Sequence, residues 1–365
     1  MLLLIALAHS RMLHAGGNDL TAPAGGGWLD VTVQWLLTSL VDGRSAPLFG
    51  ILFGYGLVQL TRRHSGPDGD SARARRLIRR GGAWLVVFGV VHVVLRYSGD
   101  IIGSYGLFAV LLAGAASWSG RRLWAVGAAT LAVSAAAYSV LQMMAGAGDA
   151  SAAVGSNLLE SALLRTVALP MLPIAALTVA PAALIGIWAG RMRLLELADR
   201  YRPLLRRAVL IGFPVSALGA QPVALQAVGV WAPGTPGAGV LALVVFSVTG
   251  IAGGIAFAAA IALLANRIGD RRGRVTSALV ACGRRSMTFY IAQSPVWLVA
   301  TEPSLLGLGG RLGVVTAAGV AVATWFATLV IADALQRADR RGPAEALLRY
   351  LTYRARAPRP ALAKQ

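Results

Sequence analysis

The sequence predicts an all-α membrane protein: a polytopic bundle of about ten transmembrane helices, with a first helix cut short and an amphipathic helix lying at the interface. Three observations carry this expectation. Hydrophobic residues make up 56% of the chain and charged residues 13%, and the mean hydropathy is +0.66, outside the balance of a water-soluble domain. Apolar runs approaching the roughly 20 residues that a spanning helix needs recur along the sequence. Arginines fall in blocks between those runs, seven of them in residues 62–80 and six in 190–207. If the runs alternate across a bilayer, every block falls on one side, which the positive-inside rule makes cytoplasmic.

Charge blocks and Gly/Pro punctuation place the spans near 1–14, 45–61, 81–97, 101–118, 123–145, 167–189, 208–230, 238–265, 275–300 and 312–333. An even count leaves both termini in the cytoplasm. One transmembrane domain, 1–333, is then followed by a basic cytoplasmic tail, 334–365. The first run is too short to span, and it lacks the basic start and cleavage site of a signal peptide. In 28–41, Leu29, Val33, Leu36, Leu37 and Leu40 recur at helical spacing while Asp30, Gln34 and Thr38 fall elsewhere. That pattern suits an interfacial helix or one packed over the bundle mouth.

Pro170, Pro173 and Pro181 interrupt one span, and Pro214 and Pro222 another; lipid tolerates this only where neighbours or a cavity satisfy the freed backbone groups. The pairs Gly50/Gly54, Gly99/Gly103, Gly186/Gly190 and Gly250/Gly254 have the spacing of close helix packing. A formal charge of +19 would suit nucleic acid if it lay on one soluble face, but blocks between apolar spans argue against that partner. The single cysteine, Cys282, excludes an internal disulfide and a cysteine metal cluster, and no metal site is expected. Nucleotide-binding P-loop, G-x-S-x-G and H-E-x-x-H patterns are absent.

Ionisable groups at membrane depth suggest function by default. His92, Arg96 and Asp100 are four residues apart, so the first two share one helical face and Asp100 joins them if the helix continues past Ser98-Gly99. They form either a functional site or an Arg96–Asp100 clamp beside a satisfied His92. His9 interrupts an otherwise apolar Leu2–Ala8; it is either a general base or a polar residue near the end of a short helix with Arg11 and His14. Arg44 stands at the outer mouth of a span. Arg284 and Arg285 lie inside another, where they can bind an anion or hold a carbonyl at a helix break.

Three sets of motifs carry a resemblance. Arg44-x-x-Pro47-Leu48-Phe49 with Leu52-Phe53-Gly54, the run from His92 through Asp100-Ile101 to Tyr105-Gly106, and Gly283-Arg284-x-x-Met287-Thr288-x-Tyr290-x-x-Gln293-Ser294 resemble the YeiB-like family of bacterial inner-membrane proteins. The run Arg341 to Glu345 fits as well, whereas Phe289 stands where the family commonly has an asparagine. More distantly, the chain is similar to the transmembrane acyltransferase superfamily. That resemblance implies transfer of an acyl group from a cytoplasmic thioester such as acyl-CoA to a small or envelope-linked acceptor. No resident cofactor is implied. His9 sits where the superfamily has its first-span histidine; the arginine that precedes it there would fall upstream of Met1, so the first helix reads as truncated. The implied roles are His9 as base, His92 and Asp100 as orienting or relay groups, and Arg44, Arg96, Arg284, Tyr290 and Gln293 as donor-binding residues. A proton-coupled permease or flippase and a noncatalytic membrane scaffold remain alternatives. The oligomeric state stays open.

Overall fold

A computed structural model describes residues 1–17, 19–21, 25–64, 71–95, 100–147, 155, 157–269 and 273–353. Every regular element among them is helical. In chain order these are α1 (Leu2–His9), α2 (Arg11–His14), α3 (Trp28–Leu40), α4 (Ser45–His64), α5 (Ala72–Leu95), α6 (Ile102–Leu111), α7 (Gly120–Ala147), α8 (Leu158–Arg165), α9 (Leu172–Arg191), α10 (Arg202–Ala227), α11 (Pro236–Ile268), α12 (Arg274–Arg284), α13 (Ser286–Thr301), α14 (Val314–Arg337) and α15 (Pro343–Tyr353). Short 3-10 turns at Ala115–Ser117 and Thr166–Met171 complete the described helical segments.

Seven helical stretches among the described residues are long and apolar enough to cross a membrane. Three expected spans differ, each for a local reason. The run 1–14 forms the short apolar stretch Leu2–His14, below spanning length, with Ser10 at the junction of α1 and α2 donating its hydroxyl to the Leu7 carbonyl (2.7 Å). In 101–118 the helix is ten residues long, because it starts at Ile102, just after Asp100, and ends before the Ala115–Ser117 turn. The run 275–300 breaks at Arg285, with φ −119° and ψ 31°, into α12 and α13. Both new helix ends there find partners. Arg285 Nη1 donates to the Ala281 carbonyl (3.1 Å) and its Nε to the Arg340 carbonyl (3.0 Å), while the Glu345 carboxylate accepts the N–H groups of Met287 (2.8 Å) and Thr288 (3.1 Å). A carboxylate at an exposed helix start is electrostatically matched to it. The chain beyond 334 therefore includes a docked helix, α15; residues 354–365 of the expected basic tail lie outside the described residues.

The prolines interrupt less than expected. Pro181 lies within α9, and Pro214 and Pro222 within α10, while Pro170 and Pro173 sit at the junction of a 3-10 turn with α9. Helix α3 buries Gln34, Thr38 and Ser39 and exposes Trp28, Leu29, Leu36 and Leu40. Its polar face thus points into the bundle. Trp35 Nε1 donates to Gln221 Oε1 of α10 (3.0 Å), and Asp30 Oδ1 accepts the Val315 N–H at the start of α14 (2.8 Å).

Glycines set the closest contacts. A Cβ at Gly54 would collide with the Ala183 carbonyl and one at Gly186 with the Ile51 carbonyl, so α4 and α9 meet backbone to backbone. Gly250 and Gly254 bring α11 against Gly43 and the Pro47-Leu48 turn in the same way. Gly43 also carries a φ of 70°, which an L side chain rarely adopts. The arginine-rich connections gather at one end of the bundle, where Gln59 and Arg62 reach Glu196 and Arg191 donates to the Ala115 and Ala116 carbonyls. At the far end, Glu302 is buried in an ion pair with Arg165 (2.8 Å) and accepts from Ser161 (2.6 Å).

Candidate functional site

A buried polar group lies where α1, α5, the turn before α6 and α13 meet. Gly89 of α5 lies so close to Gly103 of α6 that a Cβ there would meet the Gly103 backbone and, at 2.7 Å, Asp100 Oδ2. That approach brings Asp100 to His92, one helical turn along from Gly89. Asp100 Oδ2 accepts the Gly103 N–H in the first turn of α6 (2.7 Å), and Oδ1 faces His92 Nδ1 at 2.9 Å. The second contact is an ion-pair approach rather than an aligned hydrogen bond. The other ring nitrogen, Nε2, lies 2.6 Å from Ser294 Oγ.

Ser294 belongs to one face of α13. Tyr290, Gln293, Ser294 and Trp297, spaced at helical intervals, are all buried. The Tyr290 ring centroid is 5.4 Å from that of His92 and 6.3 Å from that of half-buried His9, and Trp297 is 6.2 Å from His9. The Gln293 amide is buried with neither polar atom hydrogen-bonded among the described residues, and the same holds for Trp297 Nε1. Two histidines, a carboxylate and a hydroxyl thus meet at the buried face of α13 that also carries the unpaired Gln293 and Trp297 donors. Such a group can hold a proton at His92 Nε2 and stabilise charge nearby.

His9, His92, Asp100 and Tyr290 therefore converge, and Gln293 lies on the same buried face of α13 as Tyr290. Arg96 lies outside the described residues, so its expected pairing with Asp100 is not part of this geometry. Arg44 is elsewhere: 1% exposed, it donates to Ser216 Oγ (3.0 Å), to the Ser216 carbonyl (2.6 Å) and to the Asp42 carbonyl (2.5 Å), and lies 4.5 Å over the Phe246 ring. Beside it, the buried Arg11 pairs with the Asp42 carboxylate. Arg284 is exposed at the end of α12. Sequence reasoning passed over Ser294 as a candidate although it lay in the quoted motif; its spacing from Tyr290 and Trp297 was the available signal.

Two apolar grooves, of about 630 and 360 Å³, run along α7 beside α11 and α9, lined by residues such as Leu131, Val248, Pro181 and Trp188. Neither is lined by a residue of the polar group. Among the described residues no cluster of three or more His, Cys, Asp or Glu is arranged to hold a metal ion.

No curated protein and no solved structure matches the chain. One comparison succeeds, and it covers α10 to α15 with Tyr290, Gln293, Ser294 and Glu345 but not His9, His92 or Asp100. Residues 189–355 match the model of a family described as "Protein of unknown function (DUF418)", which together with the apolar helices supports an uncharacterised family of membrane proteins.

Proposed function

We propose that this chain is a membrane-embedded acyltransferase, moving an acyl group from an acyl-CoA-like thioester to a hydroxyl or amine of a small or envelope-linked acceptor. The observation that supports it is His92, buried with Asp100 on one ring nitrogen and a hydroxyl on the other. An imidazole with its proton on the Nδ1 side, facing the carboxylate, takes a proton at Nε2, the step that makes a hydroxyl or amine nucleophilic. His9, against the same tyrosine ring, is the second base. The unpaired Gln293 amide is a donor of the kind that a developing oxyanion needs. With Arg44 committed to backbone carbonyls, the anionic part of a donor falls to exposed cations such as Arg284. In this reading the chain crosses the bacterial inner membrane ten times with both termini in the cytoplasm, the short α1–α2, α6 and the broken α12–α13 making up the passes that the seven long stretches leave out.

The test is acyl transfer from labelled acyl-CoA to small hydroxyl and amine acceptors by the purified full chain. His92→Ala and His9→Ala are expected to lower turnover by roughly 10²–10⁴-fold, the usual contribution of a positioned base; unchanged transfer in both variants rejects the assignment. A proton-coupled permease would use the same Asp100–His92 pair as a relay. Its signature is proton-linked uptake into vesicles that His92→Ala abolishes, with no acyl transfer by the parent.

A further inference from the structure

Ser294 is one of the few helical hydroxyls among the described residues that reach across to a side chain of another helix, and it meets an imidazole. Many helical hydroxyls bond back to the carbonyl four residues earlier, such as Thr61 at 2.9 Å, Thr130 at 2.8 Å, Ser139 at 3.0 Å, Thr249 at 2.7 Å and Thr324 at 2.7 Å, whereas Ser161 and Thr288 donate to the Glu302 and Glu345 carboxylates. The carbonyl of the preceding turn is a habitual resting place of a helical hydroxyl. Ser294 Oγ stands 3.5 Å from its corresponding acceptor, the Tyr290 carbonyl, and 2.6 Å from His92 Nε2. The hydroxyl has been drawn off its own helix onto an imidazole of another.

That imidazole is oriented in turn. Asp100 faces Nδ1 and is itself anchored by the Gly103 N–H. With the Nδ1 proton on the carboxylate side, the Nε2 lone pair faces the serine, so the serine O–H donates to it. Asp100, His92 and Ser294 are each 4% exposed, which keeps competing water away. A hydroxyl held by a base that a third group orients is the geometry of an activated nucleophile, whatever the fold.

We propose that Ser294 accepts the acyl group, so that transfer runs through a covalent Ser294 ester in two half-reactions; this rests on the acyl-transfer reading above. In the first, Ser294 Oγ attacks the thioester carbonyl carbon as its proton passes to His92 Nε2. The tetrahedral adduct collapses, the C–S bond breaks and the imidazolium returns that proton to the leaving thiolate, which departs as a free thiol. In the second, the acceptor hydroxyl or amine gives its proton to Nε2 and attacks the ester carbonyl. The C–Oγ bond then breaks and His92 reprotonates Ser294. His92 and Ser294 end as they began, and no further reactant is required.

The test uses the purified full chain with two readouts: peptide mass spectrometry after an alkyl fluorophosphonate, and turnover with labelled acyl-CoA plus acceptor. The expected results are a phosphonyl adduct on Ser294, a labelling rate at least about tenfold lower in His92→Ala, and, with acyl-CoA alone, a hydroxylamine-labile acyl adduct on Ser294. Ser294→Cys is expected to carry the adduct as a thioester, which separates loss of the nucleophile from loss of fold. Transfer that persists in folded Ser294→Ala overturns the covalent step and leaves the acyltransferase reading standing. A phosphonyl adduct on Ser294 without transfer to any acceptor sustains the nucleophile and sinks that reading instead. Absence of both adducts from Ser294 overturns the proposal outright.

Discussion

Arg44 and Arg284 show how differently two arginines in one apolar chain are used. Every terminal nitrogen of the Arg44 guanidinium meets a carbonyl, and Nε meets a hydroxyl. Leaving a buried carbonyl without its donor costs about 1–3 kcal/mol. Arg44→Met is therefore expected to destabilise the protein by roughly 2–5 kcal/mol through the Asp42 and Ser216 carbonyls, read as a large fall in the melting temperature in detergent. Arg284 is exposed, and Arg284→Ala is expected to change stability by no more than about 0.5 kcal/mol. Its effect, if it meets the donor, is a raised KM for acyl-CoA with little change in kcat. Equal destabilisation by the two substitutions contradicts this contrast.

Between helices, packing depends on a few positions with no side chain. Gly54 and Gly186 let α4 and α9 touch through backbone atoms, and Gly89 does the same for α5 and α6, which also fixes where Asp100 stands. Gly54→Ala places a methyl group against the Ala183 carbonyl, where overpacking costs about 1–3 kcal/mol. Gly127→Ala in α7 meets nothing within 4 Å and is expected to be neutral or to stabilise by up to about 1 kcal/mol through helix propensity. Melting temperatures of the two variants in the same detergent decide this; a fall in both would mean that glycine acts here through flexibility rather than close approach. The α12–α13 break belongs to the same scale. It persists because Arg285 takes the carbonyl end and Glu345 the N–H end.

Across the molecule, the arginine-rich end is tied together by polar contacts between the end of α4 and the segment after α9. Glu196, after α9, accepts from Gln59 (2.9 Å) and Arg62 (2.8 Å) near the end of α4. The Gln59 hydrogen bond first, and the Arg62 charge after it, hold its carboxyl below the ordinary glutamate range. A carboxylate whose folded pKa is depressed adds stability above its unfolded pKa and loses it as pH falls through the folded value. The difference in melting temperature between the parent and Glu196→Gln is thus expected to be constant from neutral pH to about pH 5 and to shrink below that. It is small throughout, because the side chain is 38% exposed and the pair is screened. A difference that grows in acid contradicts the assignment.

The sequence by itself determined the class of molecule, because hydropathy and the spacing of arginine blocks are properties that lipid and water read along the chain. It also marked glycine contacts and singled out His9, His92 and Asp100 as ionisable groups within apolar runs, while Tyr290 and Gln293 came from the motif that carries the family resemblance. What it left to the tertiary structure was which of them meet. Asp100 and His92 come together because Gly89 and Gly103 let α5 and α6 approach, and that approach is a contact between two helices rather than a spacing along one. The resemblance casts Arg44 as a donor-binding residue, and in the fold it is instead bonded to Ser216 and to the Thr38 and Asp42 carbonyls. Ser294 looked ordinary among many hydroxyls, and its partner, His92, lies 202 positions away; only the packing of α13 against α5 turns it toward a base.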